Sequence, residues 1–388
     1  MKRAALLISL IGLAACQAPG PISIPGITRA PQSAEEALEP YYRGLPDDYY
    51  PEAPPGLPLP SADTPLTRIL VGSCLDEEKG DSESLRSVAA MTADLFLMIG
   101  DNVYGDSDGS APRMGDADLP ELRESFSDLA ARPDFQAVRK AHPMMVAWDD
   151  HDYALSDGGK HFAFRRESER IHERFWGLAN QDVGAWPGTY YARAFGPEGE
   201  RTQIIMLDTR FFRSDLTDTD DASVKGKERY MPSSDPNQDM LGNDQWTWLQ
   251  NELQKPADLR LIVSSVQVMP NAHGWESWSR LPAERERLYD LIKDTGADGV
   301  VFVSGDRHAA FLYRADDVLP YPAYEITASS FNASHRDSTD EMDVDQIGPG
   351  YSKENFGSLD INWPEGTVTL SIHASDGATV EEATDKFR

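Results

Sequence analysis

The sequence is short of positive charge. Lys and Arg number 36 against 65 Asp and Glu, a formal net charge of −29 over 388 residues. Such a chain repels nucleic-acid phosphates and anionic lipid heads, which argues against nucleic-acid binding through a basic surface. An anionic small molecule would need positive charge supplied locally, and bound metal cations supply it. Cysteine is scarcer still: Cys16 and Cys74 are the only two, which allows one disulfide at most. After residue 15 no apolar run is long enough to read as a membrane-spanning helix. No internal repeat is visible. The apolar fraction of 40% is ample for a core, in a length that fits one large domain or two ordinary ones.

The first residues read as a targeting segment. "MKR" is basic, and "AALLISLIGLAA" is apolar but too short to span a bilayer. "LAAC" then resembles a bacterial lipoprotein signal, which implies cleavage of residues 1–15 and lipidation of Cys16. An ordinary signal peptide or an uncleaved anchor helix stays open beside it. Gln17 follows the cysteine, which by analogy with the sorting rule of Gram-negative lipoproteins points to the outer membrane, facing periplasm or cell surface. With Cys16 lipidated, Cys74 has no disulfide partner in an oxidising compartment. Its thiol is then either buried and inert or held by a metal. Residues 16–65 are rich in Pro, Gly and acids ("APGPISIPGITRAPQ", "PEAPPGLPLPSADTP") and are expected to be a tether without lasting regular structure, partly packed on the body. "YYRGLPDDYY" is aromatic enough to dock.

Residues 66–388 alternate strand and helix patterns, which predicts an α/β domain with buried strands. "TRILVGSC", "ADLFLMIGD", "PMMVAWDDHD" and "GVVFVSGDRH" read as strands. "LPELRESFSDLAARPDFQAVRKA" reads as helix broken near Pro133, and "TYYARAFG" with "RTQIIMLDTRFF" as a hairpin pair. "YPAYEITASS" and "TVTLSIHAS" are expected to form a second sheet.

Four apolar strands end in polar residues: "VGSC" (71–74), "MIGDNVY" (98–104), "VAWDDHD" (146–152) and "VSGDRH" (303–308). In open α/β sheets ligands bind beyond the carboxyl ends of the strands. Alone, a Gly-Asp after a strand is a turn or a helix cap, "DDHD" an exposed acidic loop, and His308 a structural histidine. Together they pool a thiol, carboxylates, an amide, a phenol and imidazoles at one edge. Dense carboxylates ionise together only if cations neutralise them. Thiolate, phenolate and imidazole suit a transition metal, and carboxylate suits a harder cation, so the mixture predicts two unlike metals sharing a carboxylate.

These pieces, with "GSC" (72–74), "GDNVYGD" (100–106), "WDDHDY" (148–153), "LDTRFFR" (207–213), "LGNDQWTWL" (241–249) and "SGDRH" (304–308), resemble the PhoD-like alkaline phosphatases among the calcineurin-like metallophosphoesterases. The likeness covers roughly residues 66–335. It implies a four-layer α/β/β/α sandwich and a phosphoester hydrolase with Fe3+ and Ca2+, other divalent metals remaining open. It implies Cys74 and Tyr104 on the iron, Asp101 as the bridging carboxylate, and Asp150 on calcium with Asp149 taking part or exchanging roles. Asp306 and His308 give one ligand to each metal, His151 faces phosphate, and Arg210 contacts phosphate. The chemistry implied is a metal-activated hydroxide attacking phosphorus, with His151 stabilising or protonating the leaving side. Many relatives carry an extra N-terminal β-domain; about fifty residues separate Cys16 from "GSC", so that domain is expected to be missing. Asp152 replaces a commoner Glu, and no helical lid is placed at the C-terminus. The expected function is a lipid-anchored, exported phosphoesterase acting on small-molecule monoesters and also diesters. A phosphodiesterase or phospholipase D-type enzyme, and a non-enzymatic metal-binding lipoprotein, are the alternatives. Oligomeric state is not legible.

Overall fold

The computed structural model describes residues 33–106, 116–335 and 341–387. The signal segment 1–15, the lipidation site Cys16 and the first part of the 16–65 tether lie outside the described residues. Helices are α1 (Ala34–Tyr42), α2 (Glu83–Ala90), α3 (Pro120–Ala131), α4 (Pro133–Ala141), α5 (Arg165–Trp176), α6 (Gly242–Leu253) and α7 (Pro282–Thr295). The strands are β1 (Arg68–Gly72), β2 (Leu95–Ile99), β3 (Met144–Ala147), β4 (Tyr191–Phe195), β5 (Thr202–Met206), the short pair β6 (Thr217–Asp218) and β7 (Tyr230–Met231), β8 (Leu259–Val263), β9 (Val300–Ser304), β10 (Ala310–Ala315), β11 (Ala323–Thr327), β12 (Gln346–Tyr351), β13 (Asn355–Asn362), β14 (Thr367–Ala374) and β15 (Thr379–Lys386).

Two sheets carry the fold, in the orders β15–β14–β13–β1–β2–β3 and β12–β10–β11–β9–β8–β5–β4. Within them β1, β2 and β3 are parallel, as are β5, β8, β9 and β11. Their runs of Ile, Leu, Val, Met and Phe suit strands covered on both faces. Alternation within the second sheet shows the layering. Leu259, Leu261 and Val263 of β8 face the core shared with the first sheet, whereas Ile262 joins α6 and α7. β5 and β9 alternate the same way: Ile204, Met206, Val301 and Val303 face one core and Ile205, Val300 and Phe302 the other. Apolar residues of α2, α3 and α4 close the first sheet. The result is the α/β/β/α sandwich.

The helix break at Pro133 has a local cause. Arg132 is extended (φ −65°, ψ 124°) and serves as C-cap of α3 and N-cap of α4, whose first residue is the proline. Its buried guanidinium lies 2.7 Å from Asp134. Two expectations need correction. β11 and β14 do not share a separate second sheet: β11 pairs β9, while β14 enters the β1 sheet through β13. Likewise the four donor-bearing strands do not end on one sheet; β1, β2 and β3 belong to one and β9 to the other. Residues 33–65 also hold more regular structure than a Pro-rich composition suggests. α1 forms over the proline-free stretch that starts it, capped by Ser33 Oγ accepting from Glu36 N (3.1 Å), and it lies on α5. The C-terminal residues are strands, and no helical lid follows β11 among the described residues.

Candidate metal centre

The parallel strands of both sheets deliver their carboxyl ends to one edge. Cys74 Sγ lies 2.9 Å from Ser329 Oγ, just beyond β11, and Ser73 Oγ donates to Ala328 O at 3.1 Å, so the two sheets are stitched there. The close approach explains the glycines of the Gly-Asp pairs. A Cβ on Gly100 would sit 2.6 Å from Asp149 Cβ, and one on Gly305 would sit 2.6 Å from Ser73 Oγ. The donors themselves are bent: Cys74 (φ 56°), Asp101 (48°), Asp306 (66°) and His308 (55°) all occupy the left-handed region. Such strain in non-glycine residues persists where surrounding structure imposes it, and it clusters at functional sites.

Metal-binding atoms fall into linked groups. Cys74, Asp101 and His308 bring ligand atoms within 4.8 Å of one another, as do Asp149, Asp150 and Asp306. Asp101 also groups with Asp150 and His151, so it stands between the two sets. Asp101 Oδ1, Tyr104 Oη, Asp149 Oδ2 and Asp150 Oδ1 are buried without a hydrogen-bond partner. Buried orphan oxygens are costly unless something electropositive meets them, and cations fit that need. The proton affinities agree. Burial pushes the Cys74 thiol up, with Asp101 adding to it, and holds Asp101 and Asp306 well above the carboxylate range. Tyr104 is also held up by burial and by Cys74. Without cations these groups keep their protons; with cations they ionise and bind.

The two adjacent aspartates have different surroundings. Asp149 Oδ1 accepts from Arg210 Nε (2.5 Å) and Ser265 Oγ (2.6 Å). Burial, opposed by Arg210, leaves its pKa pushed up to about 6. Asp150 Oδ2 accepts from Asp157 N (2.7 Å), and Asp150 lines the cavity. Burial works against its ionisation, but His151 and Arg210 overcome it and pull its pKa below the usual range. Asp150 is therefore the freer donor.

His151 projects to the cavity with Nδ1 2.6 Å from Asp106 Oδ1 and its ring stacked on Tyr104 at 4.2 Å. Burial opposes its protonation, yet Asp150, Asp101 and Asp106 raise its pKa well above that of free histidine. His308 Nδ1 donates to Ala333 O, and burial lowers its pKa to about 3, so its ring is neutral and suited to bind metal. Arg210 departs from its expected place. It is fully buried, reaches Glu276 (2.6 Å) and Asp149, and does not line the cavity. The reading of motifs missed Asp106, Ser265, Ser329 and Glu276. Asp106 had a signal, the second Gly-Asp of "GDNVYGD". The others lie in stretches with no ligand pattern. Asp152 joins the loops by accepting from Asn102 N (3.0 Å) and Asp149 N (2.9 Å).

The sequence pattern of the PhoD-like phosphatases matches residues 69–160 and 189–374. The chain belongs to the PhoD-like phosphatase family. All the donors above, and His151 and Arg210, fall inside those two stretches. Alkaline phosphatase D of Bacillus subtilis (strain 168) is 26% identical over 285 residues, covering 66% of this chain and 48% of that protein. The chain thus spans about half the length of that curated relative. A solved structure of PhoD superposes with a TM-score of 0.64 at 18% identity, over 85% of this chain and 72% of the other, which establishes the shared fold.

Proposed function

We propose that this PhoD-like chain hydrolyses phosphate esters at a two-cation centre, with monoesters as the main substrates and diesters also accepted. The carrying observation is a pair of unlike donor groups, one containing Asp101 and the other linked to Asp101 through Asp150. Cys74, Tyr104 and His308 suit ferric iron, and Asp149, Asp150 and Asp306 suit calcium. Bound there, such cations would activate water and draw charge off the phosphoryl oxygens. Asp106 holds His151 by Nδ1, leaving Nε2 to donate to the departing alkoxide or to a phosphoryl oxygen. Arg210 fixes Asp149, and Asp152 locks the β2 and β3 loops together. An inert metal-binding protein would have no use for an oriented His151 at a cavity. The cavity, about 390 Å³, leaves room for a diester's second arm. The test is elemental analysis of purified protein alongside hydrolysis of a chromogenic monoester and diester. Protein that binds iron and calcium but cleaves neither ester would overturn the reading.

The same proposal extends to location. Residues 1–16 support export, lipidation at Cys16 and attachment to the outer membrane. Cys16→Ser should release the protein from membranes or block its processing; a wild-type mature chain in the soluble fraction that begins elsewhere would contradict this.

A further inference from the structure

The cavity is larger than a phosphoryl group needs. Its volume of about 390 Å³ lies in the range of pockets that take whole small molecules. Asp150, His151, Asp306 and His308 line it together with Arg229 and Trp275. Trp275 is 40% exposed, and no other tryptophan among the described residues is exposed. Its backbone is tightly held. Trp275 N donates to His273 Nδ1 at 3.2 Å, and Gly274 N donates to Glu228 Oε2 at 2.5 Å. Gly274 O accepts from both Arg229 N (3.2 Å) and Tyr230 N (2.7 Å). A Cβ at Gly274 would meet Glu228 N at 2.4 Å, so this strand-like contact admits no larger residue. On the other side Glu276 is clamped by Arg210 (2.6 Å) and Arg213 (2.7 Å). A partly exposed indole in the cavity lining is therefore carried on a firmly held backbone.

The same backbone contact places Arg229 against Gly274, the residue before Trp275, with its guanidinium 2.6 Å from Asp157 and 5.4 Å from the centre of the Tyr230 ring. The cavity lining thus includes an indole and an arginine paired with Asp157. Planar rings stack on an indole whatever their substituents, while a short alkyl chain covers little of it.

Resting on the phosphoesterase reading above, we propose that Trp275 is a specificity-determining residue that selects phosphate esters whose alcohol carries a planar aromatic or heterocyclic ring. Stacking of this kind is worth about 5- to 100-fold in affinity.

The experiment compares two non-hydrolysable probes, phenylphosphonate and methylphosphonate, as competitive inhibitors of metal-loaded enzyme. Phosphate release from β-glycerol phosphate and from phenyl phosphate is the readout. Wild type should bind phenylphosphonate more tightly than methylphosphonate. Trp275→Ala should shrink that ratio of inhibition constants by about tenfold, and Trp275→Phe should restore most of it. For phenyl phosphate the loss in Trp275→Ala should appear in KM more than in kcat. Melting curves confirm that both variants fold. Equal ratios in wild type and Trp275→Ala, with turnover intact, would overturn this inference and leave the phosphoesterase reading standing. If metal-loaded wild type releases no phosphate from either ester, the phosphoesterase reading fails. Calorimetric titration of the two phosphonates then decides the ring subsite separately, and equal affinities there overturn it as well. The same overturning applies if the indole proves to hold a lipid surface, seen as vesicle binding lost in Trp275→Ala without any change in the phosphonate ratio.

Discussion

Cys74 is buried, bent into the left-handed region and 3.3 Å from Asp101 Oδ2. Serine is close in size but offers a harder donor, so Cys74→Ser should fold, lose iron and lose any visible charge-transfer band. Elemental analysis with an absorption spectrum checks this, and a colourless, active wild type holding only zinc would count against the assignment. His151 is a different case. Its Nδ1 is occupied by Asp106, though its ring also approaches Asp101 and Asp150. We expect His151→Ala to keep both metals and to lose roughly 10²–10⁴-fold in kcat, the range of a missing acid or charge-stabilising donor. Asp106→Asn should lose less, because the imidazole remains while its orientation loosens. Rates on phenyl phosphates of graded leaving-group acidity separate the roles. A loss that grows with poorer leaving groups marks His151 as the acid, and a uniform loss marks it as a stabiliser of phosphoryl oxygens. Loss of metal from His151→Ala would make it a ligand instead.

At the scale of elements, α1 and α5 pack as a unit. Glu35 pairs with Arg166 (2.6 Å) and Arg165 (3.2 Å), and Arg170 stacks over Tyr42 at 5.2 Å. Tyr42 is buried and its hydroxyl donates to Ala117 O at 2.8 Å. Partly exposed ion pairs contribute about 0–1 kcal/mol, whereas burying an aromatic ring contributes several times more. Urea unfolding should therefore show Tyr42→Ala losing about 2–4 kcal/mol and Glu35→Ala under about 1 kcal/mol. α5 also carries carboxyls that burial alters. Burial, helped by nearby Glu169, pushes Glu173 up to about 8. The folded form then holds a proton that the unfolded form releases from about pH 4.5 upward. Stability from this group is full below that value and falls as pH rises toward 8. Glu173→Gln has no such proton to lose. Its melting temperature should match wild type near pH 4.5 and exceed it increasingly up to pH 8, by about 1–3 kcal/mol of stability. Equal pH profiles for the two proteins would show that Glu173 does not titrate as its burial implies.

For the whole molecule, a charge of −29 and a concentration of carboxylates where the two sheets meet act in the same direction. Both favour bound cations. Chelation should lower the melting temperature, and calcium should restore it in a concentration-dependent way. The gain should reach about 2.7 kcal/mol when free calcium is a hundredfold above its dissociation constant. A melting temperature indifferent to chelator and calcium would argue that Asp149, Asp150 and Asp306 hold no cation. The described residues contain no helix long and apolar enough to cross a membrane.

Much of this protein was local information. The apolar strand runs, the break at Pro133 and the polar strand ends from Cys74 to His308 are short-range patterns, because burial and backbone geometry act over a few residues. The donor types could be read for the same reason: thiol, phenol, imidazole and carboxylate each carry their own metal preference wherever they sit. What tertiary structure alone decided was which strands are neighbours. Arg68 of β1 pairs with Asp360 of β13, far along the chain, and no local pattern encodes that partnership. β9 in turn pairs with β8 and β11 in the other sheet, so the centre is assembled across two sheets and not along one. The role of Arg210 followed from the same distance problem, since only the fold sets it between Asp149 and Glu276 and away from the cavity. α1 likewise lies on α5, with Tyr42 buried at its end, a partnership that no local pattern encodes. A sequence states what each residue can do; packing decides which groups are close enough to do it together.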